Sequence, residues 1–356
     1  MTSETNSGET MKGVLVSNWA PFDTLRLSEL PRPRPGPKEV QITVQAVGIS
    51  FAMNLVVQGK YQRRPPLPFV PGTEVVGIVT DIGSNTTRFK LHDRVVAVVD
   101  WGGLAEQVVA KVVNVYELPD SFEFARAVGL TNSYATTCAA ITWPRLLDVQ
   151  KGDWLLVHGA GGGVGLAAVE IGKITGATVI ATASSQAKLD AARDHGADHL
   201  VNYREDDFRN AVLEITNGRG VDSVYDPVGG DVFRQSLRCM APEGRIMPVG
   251  FAGGEIPQIP ANILLIKNLT VCGLNMGLYF GWTPKDRRYE YEATMRKTMK
   301  KLFSWFLDGR ISPTVAKTFP LHDFRDAMGE VLSRRAIGRV AVVMDQEARR
   351  LGYPNF

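Results

Sequence analysis

The segment LLVHGAGGGVGLAAVEIGK, residues 155–173, constrains the possible folds more than any other part of the chain. A glycine cluster separates an apolar run typical of a buried strand from a run typical of a helix, and a second apolar strand follows. This order predicts a parallel sheet whose turn presents helix N–H groups to a phosphate. A purely structural tight turn is the alternative. We expect His158, at the end of the first strand, to be a packing residue rather than a catalyst.

The residues of this turn have separate predicted roles. Gly162 lets the backbone approach the diphosphate of a dinucleotide, whereas Gly163 and Gly165 permit the tight turn and close packing of the helix. Gly161 and Val164 complete the predicted phosphate cradle. A glycine pattern alone is a weak signal, and the strand before it, the helix after it and the second strand beyond make this one specific.

The end of the second strand predicts which dinucleotide binds. In ATASSQAK, residues 181–188, Ala183 lies about 20 residues beyond the glycine turn, where an acidic side chain commonly holds the ribose of NAD. Small hydroxyls and a cation in place of that carboxylate favour the extra 2′-phosphate of NADPH. The residues predicted to bind this phosphate are Ser184, Ser185, Lys188 and Tyr203. The alternative is that the serines only cap the following helix.

The length of 356 residues indicates about two domains. Short strands punctuated by Gly and Pro over residues 11–126 predict a mostly antiparallel, barrel-like β domain. Strands alternate with helices over residues 127–309, which predicts a doubly wound parallel sheet, so the fold class is α/β. The strand AIGRVAVVMD is expected to return to the first domain, which assigns residues 310–356 to it. Residues 1–10 are expected to form a disordered tail.

Two further elements matter for the comparison with the structure. The segment NLTVCGLN, residues 268–275, is predicted to be a strand and a candidate sheet edge for pairing in a dimer. A long amphipathic helix is predicted over residues 287–308. Its cations are expected to form a solvated face rather than a binding patch: Arg287, Arg288, Arg296, Lys297, Lys300 and Lys301.

Charge and cysteine content argue against several classes of protein. A net charge of +3 is small for this length and argues against a nucleic-acid protein. The three cysteines are far apart in the sequence, so their spacing indicates neither a disulfide framework nor a structural zinc site. This fits a reducing environment. The N-terminal segment lacks the apolar run of a signal peptide. The sequence contains no uninterrupted apolar run of about 18 or more residues, so no membrane span is predicted. We therefore expect a cytoplasmic enzyme for a small-molecule substrate, with neither a membrane nor a nucleic acid as partner.

The order of the motifs resembles the medium-chain dehydrogenase/reductase superfamily, and within it the quinone oxidoreductase branch, which includes zeta-crystallin and related enone and enoyl reductases. The motifs that follow the β domain are GAGGGVGLAAVEIGK, SVYDPVGG, GRIMPVGFAGGEIPQIPANILLIKN and IGRVAVV. The resemblance covers nearly all of residues 11–345. It implies a GroES-like, β-barrel-type catalytic domain and a Rossmann domain, commonly in a homodimer, with hydride transfer from NADPH.

The metal ligands of the zinc alcohol dehydrogenases of the same superfamily are missing from this sequence. Residues 47–54 contain no cysteine where those enzymes carry a ligand, and Thr73 stands at their histidine ligand. The four-cysteine structural lobe is absent as well. We therefore predict no metal. Without a Lewis acid, the expected substrate is already an electrophilic π system, such as a quinone or an α,β-unsaturated carbonyl.

The resemblance also implies roles for individual residues. Tyr61 of QGKY matches the tyrosine that donates or orients a proton in related enoyl thioester reductases, and it is the catalytic candidate; a structural pocket wall is its alternative. Members of the branch often have Asn and Asp where this chain has Ser50 and Met53. Further residues implied at the cofactor are Thr131, Gly250, Phe251 and Arg339. The predicted substrate pocket contains Ser50, Tyr61, Trp101, Asn275, Met276 and Tyr279.

Two other functions stay open. An enoyl thioester reductase acting on a coenzyme A substrate needs basic residues at the cleft mouth, which Arg63 and Arg64 can supply. A protein of another class would bind NADPH with little catalysis and serve a structural or regulatory role, and the loss of the Asn/Asp pair lends that idea weight. Turnover with quinones, enones and enoyl thioesters separates the three.

Overall fold

The computed structural model describes residues 9–352 and consists of two large sheets and a short hairpin. The predicted tail lies outside the described residues except for Glu9 and Thr10, and Thr10 begins the first strand. Within residues 9–352 no helix combines the length and the apolar character needed to cross a bilayer.

The strands alternate with helices in the middle of the chain and cluster at its two ends. The strands are β1 (Thr10–Leu15), β2 (Arg26–Pro31), β3 (Glu39–Ile49), β4 (Glu74–Ile82), β5 (Arg94–Val98), β6 (Gln107–Lys111), β7 (Val115–Glu117), β8 (Trp154–Val157), β9 (Thr178–Ala183), β10 (His199–Asn202), β11 (Val221–Asp226), β12 (Met240–Pro248), β13 (Thr270–Val271), β14 (Val315–Pro320) and β15 (Arg339–Val343). The helices are α1 (Phe51–Val57), α2 (Phe124–Ala127), α3 (Ala135–Thr142), α4 (Gly163–Thr175), α5 (Gln186–Asp194), α6 (Phe208–Ile215), α7 (Gly230–Ser236), α8 (Ala261–Lys267), α9 (Gly277–Phe280), α10 (Glu292–Leu307), α11 (Phe324–Leu332) and α12 (Asp345–Arg350).

The first sheet is built from strands of the two ends of the chain and has the order β14-β15-β3-β4-β5-β7, with β6 paired to the other part of β3. All its pairings are antiparallel except β14 with β15. The last strand, β15, pairs with β3, so the chain returns to the first sheet as the sequence predicted. Alternating apolar residues such as Val40, Ile42 and Val44 fill the core beneath this sheet.

The second sheet is parallel and has the order β10-β9-β8-β11-β12-β13. Its central strands are almost wholly buried, for example Leu155–Val157 in β8, because helices cover both faces. The chain runs outward from β8 to β10 on one side and from β11 to β13 on the other. This reversal makes the carboxyl ends of β8 and β11 the place where a doubly wound sheet binds its ligand. The predicted α/β class, with a GroES-like domain and a Rossmann domain, is confirmed.

Two predicted elements differ from the structure. The predicted strand 268–275 pairs only over Thr270–Val271. The predicted helix 287–308 begins at Glu292, because the preceding segment turns back towards the first sheet. The prediction of a solvated cationic face was therefore wrong for Arg288, whose side chain is 3% exposed and pairs with Asp100 and Asp286.

The same correction applies to Arg296 of α10. Its guanidinium donates to Glu292 Oε1 at 2.7 Å and to the carbonyl oxygen of Val112 at 3.0 Å. The Arg296 guanidinium therefore links helix α10 to the domain that contains the first sheet. Helical spacing identifies which residues share a face but not whether a neighbouring domain covers that face.

Candidate active site

The glycine turn joins the end of β8 to the start of α4. Gly161 and Gly165 are buried, whereas Gly162, Gly163 and Val164 are half-buried and form the accessible part of the turn. A Cβ atom on Gly165 would lie 2.3 Å from the carbonyl oxygen of Gly159, so a larger residue cannot stand there. Gly162 occupies the N-cap and offers no side-chain acceptor, which leaves first-turn N–H groups available to an anion.

His158, which precedes this turn, is a packing residue. It is 2% exposed, and its two ring nitrogens share hydrogen bonds with Thr182 Oγ1 at 2.9 Å and with Ser236 Oγ at 2.8 Å. Burial lowers the pKa of His158 to about 3, so the ring is neutral at physiological pH. The prediction that it is not a catalyst fits this environment.

The loops that follow β11 and β12 pack together beside the turn. Asp226 is fully buried and accepts hydrogen bonds from the N–H groups of Val228 at 2.8 Å and Gly229 at 3.1 Å. Burial raises the pKa of Asp226 to about 6. Phe251 is 40% exposed and reaches the Gly229 backbone. This geometry places Gly250 and Phe251 at the carboxyl edge of the sheet, where a ligand binds.

The end of β9 presents hydroxyl groups without a carboxylate. Ala183 is buried, Ser184 is half-buried and Ser185 is exposed. Ser185 occupies the N-cap of α5, but its side chain makes no capping hydrogen bond to the described backbone. Tyr203 is 46% exposed, and its N–H group donates to the carbonyl oxygen of Ala183 at 3.2 Å. Ala183, Ser184, Ser185 and Tyr203 lie together at the end of β9, and we call this region the corner. Capping of α5 does not account for the Ser185 hydroxyl, because that hydroxyl makes no capping hydrogen bond.

Lys188 lies beside this corner together with Arg204 and Arg334, which the sequence analysis did not identify. The stem of Lys188 packs against Gly161, and its Nζ donates to the carbonyl oxygen of Arg334 at 2.5 Å. Burial lowers the pKa of Lys188, and the charges of Arg204 and Arg334 lower it further. We call Lys188, Arg204 and Arg334 the cationic cluster. Arg334 also donates to the carbonyl oxygen of Ala252 at 2.6 Å and so links the two domains.

Arg339 and Thr131 meet at a buried carboxylate that the sequence analysis did not single out. Glu74 Oε2 pairs with the guanidinium of Arg339 at 2.7 Å, and the Glu74 side chain is 3% exposed. Glu74 Oε1 accepts from the Thr131 hydroxyl at 3.0 Å and from the N–H groups of Gly129 at 2.8 Å and Asn132 at 2.9 Å. Thr131 is fully buried, and its hydroxyl is directed to Glu74. The arrangement holds the stem of Arg339 against the glycine turn.

The candidate catalytic residue lies beside a stacked guanidinium. Burial raises the pKa of Tyr61, and the nearby Arg63 charge opposes that rise. The Arg63 guanidinium lies 5.4 Å from the ring centre of Trp101 and 5.2 Å from that of Trp282. It also donates to the Asp100 carbonyl oxygen at 2.9 Å. The predicted pocket residues Tyr61 and Trp101 are thus in one region, and Trp282 joins them from the other domain.

The remaining predicted pocket residues have local structural contacts. Ser50 caps α1 by accepting the N–H group of Met53 at 3.3 Å. The Asn275 side chain accepts the N–H group of Gly277 at 3.0 Å. Met276 is 9% exposed. Tyr279 packs edge-on against Trp143 and Tyr291. Their role in lining the pocket stays a prediction.

Residues 9–352 contain no group of three or more His, Cys, Asp or Glu side chains placed to hold a metal ion. Cys138, Cys239 and Cys272 are buried free thiols, and burial raises the pKa of each.

Comparison with known proteins identifies the family. Residues 36–120 match the alcohol dehydrogenase GroES-like domain, and residues 163–297 match the zinc-binding dehydrogenase family. Quinone oxidoreductase-like protein 2 of Rattus norvegicus is 38% identical over 312 residues, which cover 86% of this chain and 86% of the relative. Its homolog from Nematostella vectensis is 38% identical over 310 residues, covering 86% and 82%.

A solved structure gives the same result. The Escherichia coli quinone oxidoreductase complexed with NADPH superimposes with a TM-score of 0.83 at 28% identity, covering 93% of this chain and 99% of that one. The chain is therefore an oxidoreductase by family, and it belongs to the medium-chain dehydrogenase/reductase superfamily, in its zinc-independent quinone oxidoreductase branch.

Proposed function

We propose that this protein is an NADPH-dependent, zinc-independent reductase of quinones or α,β-unsaturated carbonyl compounds. The observation that carries the proposal is the corner at the end of β9, where the cationic cluster and the hydroxyls of Ser184, Ser185 and Tyr203 replace the usual carboxylate. The similar Escherichia coli quinone oxidoreductase was solved with NADPH, which agrees with this reading of the corner.

The electrostatics of the corner favour the phosphorylated cofactor. Arg204 and Arg334 lie close enough for their charges to lower the pKa of Lys188, so the three cations repel one another in the free protein. A 2′-phosphate relieves that repulsion and accepts charge-assisted hydrogen bonds, each of which contributes about 1.5–3 kcal/mol. NADH has only a ribose hydroxyl at this position. Two such bonds would favour NADPH over NADH by on the order of a hundredfold or more.

The residues of the cleft bind the substrate and provide a hydrogen-bond donor for its acceptor oxygen. The bound cofactor supplies the hydride. Tyr61 remains a protonated phenol because burial raises its pKa, so its hydroxyl can donate a hydrogen bond to the acceptor oxygen as negative charge develops. Thr73, in place of a histidine ligand, leaves no side chain suited to zinc at that position. Trp101 and Trp282 hold the Arg63 guanidinium near Tyr61 through cation–π contacts.

The state of Arg63 favours a quinone or enone over a coenzyme A thioester. Its guanidinium is paired with Asp100 Oδ1 at 3.3 Å and is stacked between two indole rings. A thioester would need a cation free to bind its phosphates, and of the two arginines only Arg64 is exposed. One solvated arginine is a weak basis for such specificity.

We also propose that the enzyme is a cytoplasmic homodimer. Strand β13 forms one edge of the parallel sheet, and the neighbouring helix α8 exposes Leu265 at 79% and Ile266 at 76%. A second copy that pairs along β13 would cover both the edge and the apolar side chains. Sedimentation should give twice the chain mass of 39.0 kDa. A monomer at micromolar concentration would contradict the dimer.

A panel of acceptors tests the activity. Purified protein is mixed with NADPH and a quinone, an enone or an enoyl thioester, and the loss of NADPH absorbance is followed, with and without a zinc chelator. We expect turnover with the first two, no effect of the chelator and slow reaction with the thioester. Tight NADPH binding without turnover of any acceptor would instead support the structural or regulatory role. Loss of activity on chelation would overturn zinc independence.

A further inference from the structure

The chain enters the Rossmann domain through a π-helical turn, Leu130–Tyr134. Such turns are rare and frequently occur at functional sites. The hydroxyls of Thr131 and Tyr134 are bonded to Glu74 and Glu170. Ser133 is different: it is 1% exposed, and its Oγ has no hydrogen-bond partner among the described residues. Buried hydroxyls are seldom left unpaired, so this one requires an explanation.

Ser133 faces the glycine turn. A Cβ atom on Gly163 would lie 3.3 Å from Ser133 Oγ and 2.5 Å from the Cδ of Arg339. The Arg339 Nε is also buried and lacks a partner among residues 9–352, although the other end of the guanidinium is held by Glu74. The unpaired Ser133 hydroxyl and the stem of Arg339 therefore both lie beside the first residue of α4, a helix of 13 residues.

We propose that Ser133 and the Nε of Arg339 bind the diphosphate of the dinucleotide from the side of the domain junction. The inference rests on the proposed function, because it needs a dinucleotide in this cleft. A hydroxyl, a guanidinium N–H and the N-terminal dipole of α4 all favour an anion at one point. Glu74 holds the terminal nitrogen of the guanidinium, which leaves the Nε without a partner among the described residues. Ser133 is then a further cofactor-binding residue, contributed by the segment that links the two domains.

The variant Ser133→Ala tests the proposal through binding and stability together. Loss of a hydrogen bond to an anion should raise the Kd of NADPH by roughly 10- to 100-fold in a fluorescence titration. Adenosine 2′-phosphate lacks the diphosphate, so its Kd should stay within about twofold of that of the wild type. The Tm of the free protein should be unchanged or higher, because the variant removes a buried hydroxyl that has no partner. A purely structural serine would show the opposite effect on Tm.

Ser236→Ala is a matched control, since Ser236 is also a buried serine but its hydroxyl is bonded to His158. It should lower Tm and leave the NADPH affinity unchanged. Arg339→Met should weaken NADPH without weakening adenosine 2′-phosphate. The proposal is overturned if Ser133→Ala binds NADPH as tightly as the wild type, or if both ligands weaken equally. Wild-type protein that binds NADPH but reduces no acceptor would refute the proposed function and leave this inference standing.

Discussion

Replacement of Lys188 by methionine tests the charge that we assign to the 2′-phosphate. The Cβ and Cγ of Lys188 both lie 2.7 Å from the point where a Cβ on Gly161 would stand, so the stem packs directly on the turn. Methionine keeps an unbranched apolar stem and removes the ammonium. The substitution therefore changes the charge while the packing is retained.

The structure sets the size of the expected effect. The Lys188 ammonium has three donors, and Nζ donates to the carbonyl oxygen of Arg334, so donors remain for a phosphate. Loss of the carbonyl bond costs about 1 kcal/mol of stability, and relief of repulsion from Arg204 and Arg334 offsets part of it. Loss of one charge-assisted bond to the phosphate, about 1.5–3 kcal/mol, should raise the NADPH Kd roughly 10- to 150-fold. The Kd of NADH should change by about twofold or less, because NADH carries no 2′-phosphate.

Fluorescence titration of the reduced nicotinamide gives both dissociation constants on the same protein. Lys173→Met is the matched control, since Lys173 lies on the same domain and pairs with Asp198 at 2.7 Å. It should leave both constants unchanged. A parallel rise for NADH and NADPH in Lys188→Met would mean that the lysine supports the turn rather than the phosphate. No rise for either would refute the assignment of the corner.

Three further predictions test other parts of the argument. Ala183→Asp should shift the ratio of kcat/KM values towards NADH by at least about tenfold, because a carboxylate repels the 2′-phosphate; an unmoved ratio contradicts this reading of the loop. Tyr61→Phe should lower kcat for an enone by about 100-fold with little change in NADPH affinity, as measured by steady-state kinetics; full activity would reduce Tyr61 to a pocket wall. The pKa of His158 is about 3 in the folded protein and near 6.5 in the unfolded chain. Between these two pH values the unfolded chain therefore binds more protons than the folded protein does. The contribution of His158 to stability should therefore decrease by about 1.4 kcal/mol per pH unit between about pH 6.5 and pH 3; His158→Gln should lose this contribution in urea unfolding, and equal slopes would contradict it.

The sequence was sufficient wherever one continuous segment determines a structure. The run 155–173 contains its own strand, turn and helix, so all three elements could be predicted from it, and the phosphate cradle that it predicts stays a prediction. The absence of a carboxylate at Ala183 was likewise visible, because the ribose reader lies at a fixed distance from the turn. Composition added only exclusions.

The sequence was insufficient wherever the site is built across the domain junction. Arg334 is 146 residues from Lys188, yet its carbonyl oxygen accepts the Lys188 ammonium. No local pattern marks such a pair, since Lys188 stands in a polar helix and Arg334 in a polar turn. Arg288 was misassigned for the same reason: helical spacing suggested a solvated face, whereas Asp100, 188 residues away, buries it.

These long-range pairs share a geometric property that bears on function. Glu74 holds Arg339, Asp100 holds Arg288, and Lys188 holds the segment that contains Arg334. Asp100 with Arg288 and Lys188 with Arg334 join the two domains, whereas Glu74 and Arg339 lie within one domain beside the glycine turn. Each pair includes a charged group that is buried or half-buried. Separating such a pair would leave a buried charge without its partner, which is strongly unfavourable. The two pairs that join the domains therefore hold them at one separation even in the free protein. We therefore expect the proposed cofactor to bind with little cost for ordering the two domains.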